Sequence, residues 1–176
     1  MDIKTFKNIL RNVTPVSEDE WQNFEQYFSF RRLNKNEILW KENEICNHLI
    51  FLKKGLIYCF HYKDDKEIVT NLYFENAIFY DDYSFIKQEP CILNYIALEE
   101  TELIVIPRVA LYEMFDKYKS FERLGRMMVE RNHTISVEYF GIPRPPISGM
   151  QSQRFRERCV PLISELNCTA LFLENG

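Results

Sequence analysis

The chain has 176 residues, 46% apolar and 27% charged, with a net charge of −4. These values exclude collagen-like, low-complexity and globally disordered classes. They also argue against a protein that holds nucleic acid over most of its surface, because such a chain is basic. Aromatic residues reach 15%, with 14 Phe and 10 Tyr, a composition that favours strands over a helical bundle. No apolar run approaches the roughly 18–20 residues of a membrane span, and residues 1–7 lack the apolar stretch of a signal peptide. A cytoplasmic protein without a membrane partner is expected.

The first 30 residues predict helix. Ile3, Phe6, Ile9 and Leu10 mark one short amphipathic turn. Ser17 and Glu20 then form an S-x-x-E capping box ahead of Trp21, Phe24, Tyr27 and Phe28 at helical spacing. From Phe30 to Pro107 the period changes. Short runs rich in β-branched, aromatic and aliphatic residues occupy 37–40, 48–52, 56–62, 67–74, 94–98 and 103–106. Polar turns at 34–36, 53–55 and 63–66 separate them. Many short strands at spacings near ten residues predict a sandwich or a β roll. Arg108 onward returns to helix, first with Val109, Leu111, Met114 and Phe115, then from about residue 120 to 140. Phe121, Leu124, Met128, Ile135 and Tyr139 lie near a heptad stripe there, interrupted by Arg131, which can pack on the β roll, on a partner's copy, or on both.

The last 35 residues differ from the rest. They hold four of the seven Pro, no Tyr and no Lys, and carry +1 against −5 for residues 1–141. The break falls at Gly141-Ile142-Pro143, where a helix stops. The expected division is a β roll with N-terminal helices over 1–118, a long helix over 119–141, and an atypical, poorly ordered tail over 142–176. So abrupt a change is what a shifted reading frame or a truncated gene produces.

Several stretches resemble the sensor half of the Crp–Fnr, catabolite-activator-like transcription regulators. They are residues 32–39 (RLNKNEIL), 41–47 (KENEICN), 51–55 (FLKKG), 74–85 (FENAIFYDDYSF) and 97–100 (ALEE), followed by 121–126 (FERLGR). Asn36, Asn43 and Asn76 stand where that family has turn glycines. Asn is the side chain best able to replace Gly at positive φ. The resemblance implies a mainly β fold with flanking helices, a jelly-roll-like double-stranded β-helix of the cyclic nucleotide-binding type. It also implies a long C-terminal helix that pairs in a parallel homodimer through Phe121, Leu124, Met128 and Ile135.

The same resemblance places a ligand cassette at Asn76, Asp81, Asp82, Cys91 and Ile92. In nucleotide-binding members a Glu holds the ribose at the position of Asp81, and an Arg followed by Ser or Thr holds the cyclic phosphate at the positions of Cys91 and Ile92. Residues 88–96 contain no Arg or Lys; Lys87 is the nearest cation. A buried phosphate without its cation costs several kcal/mol, so a degenerate pocket is expected, vacant or open to an unknown small ligand. The family's helix-turn-helix needs two helices after the long one. The 36 residues after Phe140 are interrupted by proline, so DNA binding is expected only if a helix-turn-helix is supplied elsewhere. A stand-alone small-ligand sensor that regulates a partner protein is the nearest alternative.

Chemistry of other classes finds little support. His48, His61 and His133 show no metal-ligand spacing, and the five Cys form no C-x-x-C pair. A cupin-like metal enzyme on a similar roll would need such a cluster. No catalytic residue, metal or cofactor is expected. Arg154, Arg156 and Arg158 recur at period two, and read as a solvated basic run.

Overall fold

A computed structural model describes residues 3–64 and 66–127. Two helices open the chain, α1 (Lys4–Val13) and α2 (Glu18–Glu25). α1 buries Phe6 and Leu10. The predicted capping box is formed at α2: Glu20 N–H donates to Ser17 Oγ at 3.2 Å, and Ser17 N–H donates to Glu20 Oε2 at 2.7 Å. Tyr27 lies past the end of α2 and donates instead to Glu113.

Eight strands follow: β1 (Ser29–Leu33), β2 (Ile38–Trp40), β3 (His48–Lys54), β4 (Ile57–Lys63), β5 (Lys66–Tyr73), β6 (Ile78–Phe79), β7 (Asn94–Ala97) and β8 (Thr101–Pro107). They form two antiparallel four-stranded sheets, in the orders β1-β8-β3-β6 and β2-β7-β4-β5. This is the expected roll, between the expected helices. Two strands have no predicted run. β1 carries two arginines and is exposed at four of its five positions, so it lacks the alternation that marks a half-buried strand. β6 is two residues long.

The turns are where asparagine earns its place by geometry. Asn36, Asn43 and Asn76 all have positive φ, at 68°, 73° and 71°. Gly55, between β3 and β4, has φ 104°, and a Cβ there would lie 2.4 Å from Thr101 Oγ1 and 2.9 Å from Glu100 O. Both the backbone angle and the contact require glycine.

After β8 comes α4 (Arg108–Lys117), which buries Ala110, Leu111 and Met114 but leaves Val109 exposed. Residues 119–127 are again helical. Gly125 lets this helix approach α4 closely, since a Cβ there would meet the Phe115 ring at 2.7 Å. Phe121 packs edge-on against Phe24 at 4.9 Å, and Phe121 and Leu124 are both fully covered by their own chain. The apolar surface that these two residues of the stripe bring is matched by α2 and the roll within the chain. Met128, Ile135 and the tail lie outside the described residues.

Candidate functional site: a cassette closed by aromatic rings

The cassette is built around a buried carboxylate. Asn76 turns the chain after β5, its N–H donating to Leu52 O at 2.7 Å. β6 and Tyr80 then lead to Asp81, the N-cap of the short helix α3 (Asp82–Lys87). Asp81 Oδ1 accepts from Ser84 N–H at 2.8 Å, and Asp81 Oδ2 accepts from the Tyr95 hydroxyl at 2.9 Å. Asp81 and Tyr95 are both buried. Burial raises the pKa of the Tyr95 hydroxyl far above the ordinary tyrosine range, so it remains a donor to Asp81.

Ser84 ties α3 to the rest of the roll. Its Oγ accepts from Cys46 N–H at 2.9 Å and donates to Glu89 O at 2.5 Å. Cys91 is held by backbone pairing with the 43–44 turn: its N–H donates to Glu44 O, and its carbonyl accepts from Asn43 N–H. Its thiol is buried, and burial raises its pKa, as it raises that of Cys46 to about 12. These thiols behave as small apolar groups. Ile92, next in sequence, is 64% exposed and points away from any closed site.

The expected site residues are therefore only partly assembled. Asp81 and Cys91 are both buried beside Ser84; Asn76 shapes a turn; Ile92 lies on the surface. Asp82 is exposed by area, yet its carboxyl sits against protein and beside Asp81, and both effects raise its pKa. Three residues important to the arrangement carry no motif. Trp40 packs edge-on to Tyr95 at 5.0 Å and to Phe79 at 5.9 Å, and Tyr73 stacks on Phe79 at 4.0 Å. The alternation of β7 could have put Tyr95 on the inner face with Ala97, but no spacing links it to Asp81, 14 residues earlier.

No cation faces this centre from residues 88–96. Arg108 is near α3, but at its other end. Its Nε donates to Phe85 O at 2.7 Å, and its guanidinium lies 4.1 Å from the Tyr112 ring centroid. Two surface depressions, of about 640 and 410 Å3, lie on the helical flank, lined by residues of α2, α4 and Tyr118. Among the described residues no three His, Cys, Asp or Glu side chains are placed to hold a metal ion, and no helix is long and apolar enough to cross a membrane.

A roll of two antiparallel sheets, with a short helix after a β6 turn and helices at both ends, is a known architecture. Residues 30–118 match the cyclic nucleotide-binding domain family. The chain belongs to that family. Its fold is similar to that of the catabolite activator protein of Thermus thermophilus, with a TM-score of 0.60 at 16% identity over 74% of this chain. The sensor domain of the transcriptional regulator DNR from Pseudomonas aeruginosa is similar over 81% of this chain and 93% of its own, with a TM-score of 0.63 at 12% identity. The N-terminal domain of a Streptomyces coelicolor transcriptional regulator is similar over 77% of this chain and 95% of its own, with a TM-score of 0.60 at 15% identity. The chain spans 61% of the Thermus protein. No curated protein matches the sequence. The cyclic nucleotide-binding domain of this chain thus carries a short helix after β6, with Asp81 as its N-cap, and a buried Cys91.

Proposed function

We propose that this chain is the sensor half of a Crp–Fnr-like transcription regulator whose cassette no longer takes a cyclic nucleotide. The observation that carries the reading is the closed Asp81 centre. Both carboxylate oxygens already accept protein donors, Ser84 N–H and the Tyr95 hydroxyl. A ribose hydroxyl would have to share a buried carboxylate that already serves two protein donors. The cyclic phosphate would meet Cys91 and no cation, beside the carboxylates of Asp81 and Asp82. An uncompensated buried charge costs several kcal/mol, comparable to the whole affinity of a micromolar ligand. The reading is of a regulatory, non-catalytic domain in which the roll is a scaffold or answers to another small ligand.

Calorimetric titration of the full chain with cyclic AMP and cyclic GMP tests this. No heat of binding is expected up to about 100 μM ligand. A dissociation constant below about 10 μM, roughly −7 kcal/mol, overturns it. Self-association belongs to the same reading, and it falls to Met128 and Ile135, because Phe121 and Leu124 are taken up within the chain. Sedimentation at micromolar concentration is expected to show a dimer that Met128→Glu weakens.

A further inference from the structure

Two buried thiols meet beneath exposed turns on either side of α3. Cys46 is the only buried residue of 41–47, and Cys91 is the only buried residue of 86–92. Neither lies in a strand or a helix. Cys59, by contrast, lies in β4, which is paired on one side with β5 and on the other with β7. Contacts set Cys46 and Cys91 side by side. Cys91 N–H donates to Glu44 O at 2.7 Å, two residues before Cys46. Cys46 N–H donates to Ser84 Oγ at 2.9 Å. The Cys91 thiol is in hydrogen-bonding contact with both the Ser84 side chain and the Cys46 N–H. The Cys46 sulfur belongs to that same residue, so rotation about χ1 brings the two sulfurs toward each other. A disulfide spans Cα atoms about 4–7 Å apart, a separation that the Cys91–Glu44 pairing and the shared Ser84 contact allow.

We propose that Cys46 and Cys91 form an oxidation site, at which hydrogen peroxide closes a disulfide that staples the 41–47 turn to the segment after α3. The Cys91 sulfur attacks one peroxide oxygen, the O–O bond breaks, and one water leaves with the Cys91 proton, so Cys91 becomes a sulfenic acid. The Cys46 sulfur then attacks Cys91 Sγ, the S–O bond breaks, and a second water leaves with the Cys46 proton. Two thiols lose two electrons in all, and one peroxide gains them. The bond joins the two cysteines that Ser84 touches, and so fixes the first turn of α3 to the roll.

The order of events follows from burial. In the closed roll both thiols are kept protonated, and a buried thiol is inert, so the oxidant enters by local opening. Residues 86–90 are all exposed, and Gln88 holds a left-handed φ of 57°, a conformation that few residues other than glycine adopt. Such a segment opens at far lower cost than a central strand, and Cys91 moves with it. Cys46 need not meet the oxidant: its partner is a neighbour in the same chain, where effective concentrations are high.

The test uses the full chain, reduced and then treated with hydrogen peroxide. Peptide mapping without reductant is expected to give a linked Cys46–Cys91 pair, two hydrogens lighter and restored by dithiothreitol. Cys59, which is as deeply buried, is expected to be modified at least about tenfold more slowly. In Cys46→Ser, Cys91 is expected to stop at the sulfenic acid and take up dimedone. In Cys91→Ser, Cys46 is expected to stay reduced over the same time. The mapping of the unsubstituted chain decides the matter even if a variant fails to fold. Oxidation of Cys91 with Cys46 left free, links only to Cys159 or Cys168, or modification of Cys59 as fast as Cys91 would overturn the proposal. So would Cys46 and Cys91 both remaining reduced once Cys159 and Cys168 are oxidised.

Discussion

The helical flank and the cassette are both assembled from aromatic rings, but on different principles. On the flank, Phe6, Trp21, Phe24, Phe28 and Phe121 pack edge to face in an apolar cluster. In the cassette, Trp40, Tyr73 and Phe79 pack against Tyr95, whose hydroxyl donates to the buried carboxylate of Asp81. The flank is held by area and shape, so its losses scale with the volume removed. The cassette is held by a small number of directional bonds, so its losses depend on which partner is left alone.

The largest expected effect is on the flank. Phe121→Ala removes a fully buried ring that α2 packs against, and is expected to cost about 3–5 kcal/mol in urea unfolding. A loss below about 1 kcal/mol would mean that the helix of residues 119–127 is not part of the folded unit. Next comes the cassette. Asp81→Ala deletes an N-cap, worth about 0.5–2 kcal/mol, and strands a buried Tyr95 hydroxyl at about 1–3 kcal/mol. Tyr95→Phe is expected to cost less, because Ser84 N–H still serves Asp81. The double variant should fall short of the sum by at least about 0.5 kcal/mol. Strict additivity would break the contrast between the two regions, since it would make the pair independent.

A smaller effect separates backbone from packing. Asn76→Ala is expected to cost about 1 kcal/mol, because Ala tolerates φ of 71° poorly, whereas Asn76→Gly should lie within a few tenths. An equal loss for both would show that the Asn side chain, not its backbone freedom, holds the entry to the cassette.

The smallest effect at ordinary pH is the one set by the buried thiols. Burial raises Cys46 to about 12 and Cys59 to about 11, against an ordinary value near 9. For an acid raised on folding, the unfolded chain loses its proton first. Stability is therefore complete below pH 9 and declines as pH rises from 9 toward 11–12. Burial of Tyr58 and Tyr80, both raised to about 12, acts in the same direction. Urea midpoints at pH 8 and pH 10 are expected to differ in that sense, and Cys46 and Cys59 should resist thiol reagents in the folded protein at pH 8. Fast labelling of either would mean that the roll opens locally.

Local chemistry was legible in the sequence wherever one segment carried its own answer. The capping box at Ser17 and Glu20, the change of period near Phe30 and its return at Arg108, and the three asparagine turns follow from short-range sterics and hydrogen bonding, and the structure has all of them. β1 and β6 were not legible: one is too exposed to alternate, the other too short to show a period. The place of Asp81 came from the order of motifs, but not its role.

Tertiary structure decided which partner each of these groups met. It joined Asp81 to Tyr95, buried Cys91 against the 43–44 turn, and drew Phe121 and Leu124 into their own core. Sequence pattern shows that a residue is apolar or can accept a bond, because those are properties of the side chain and its neighbours. It does not show which distant surface is covered, because burial depends on how strands far apart in the chain are brought together.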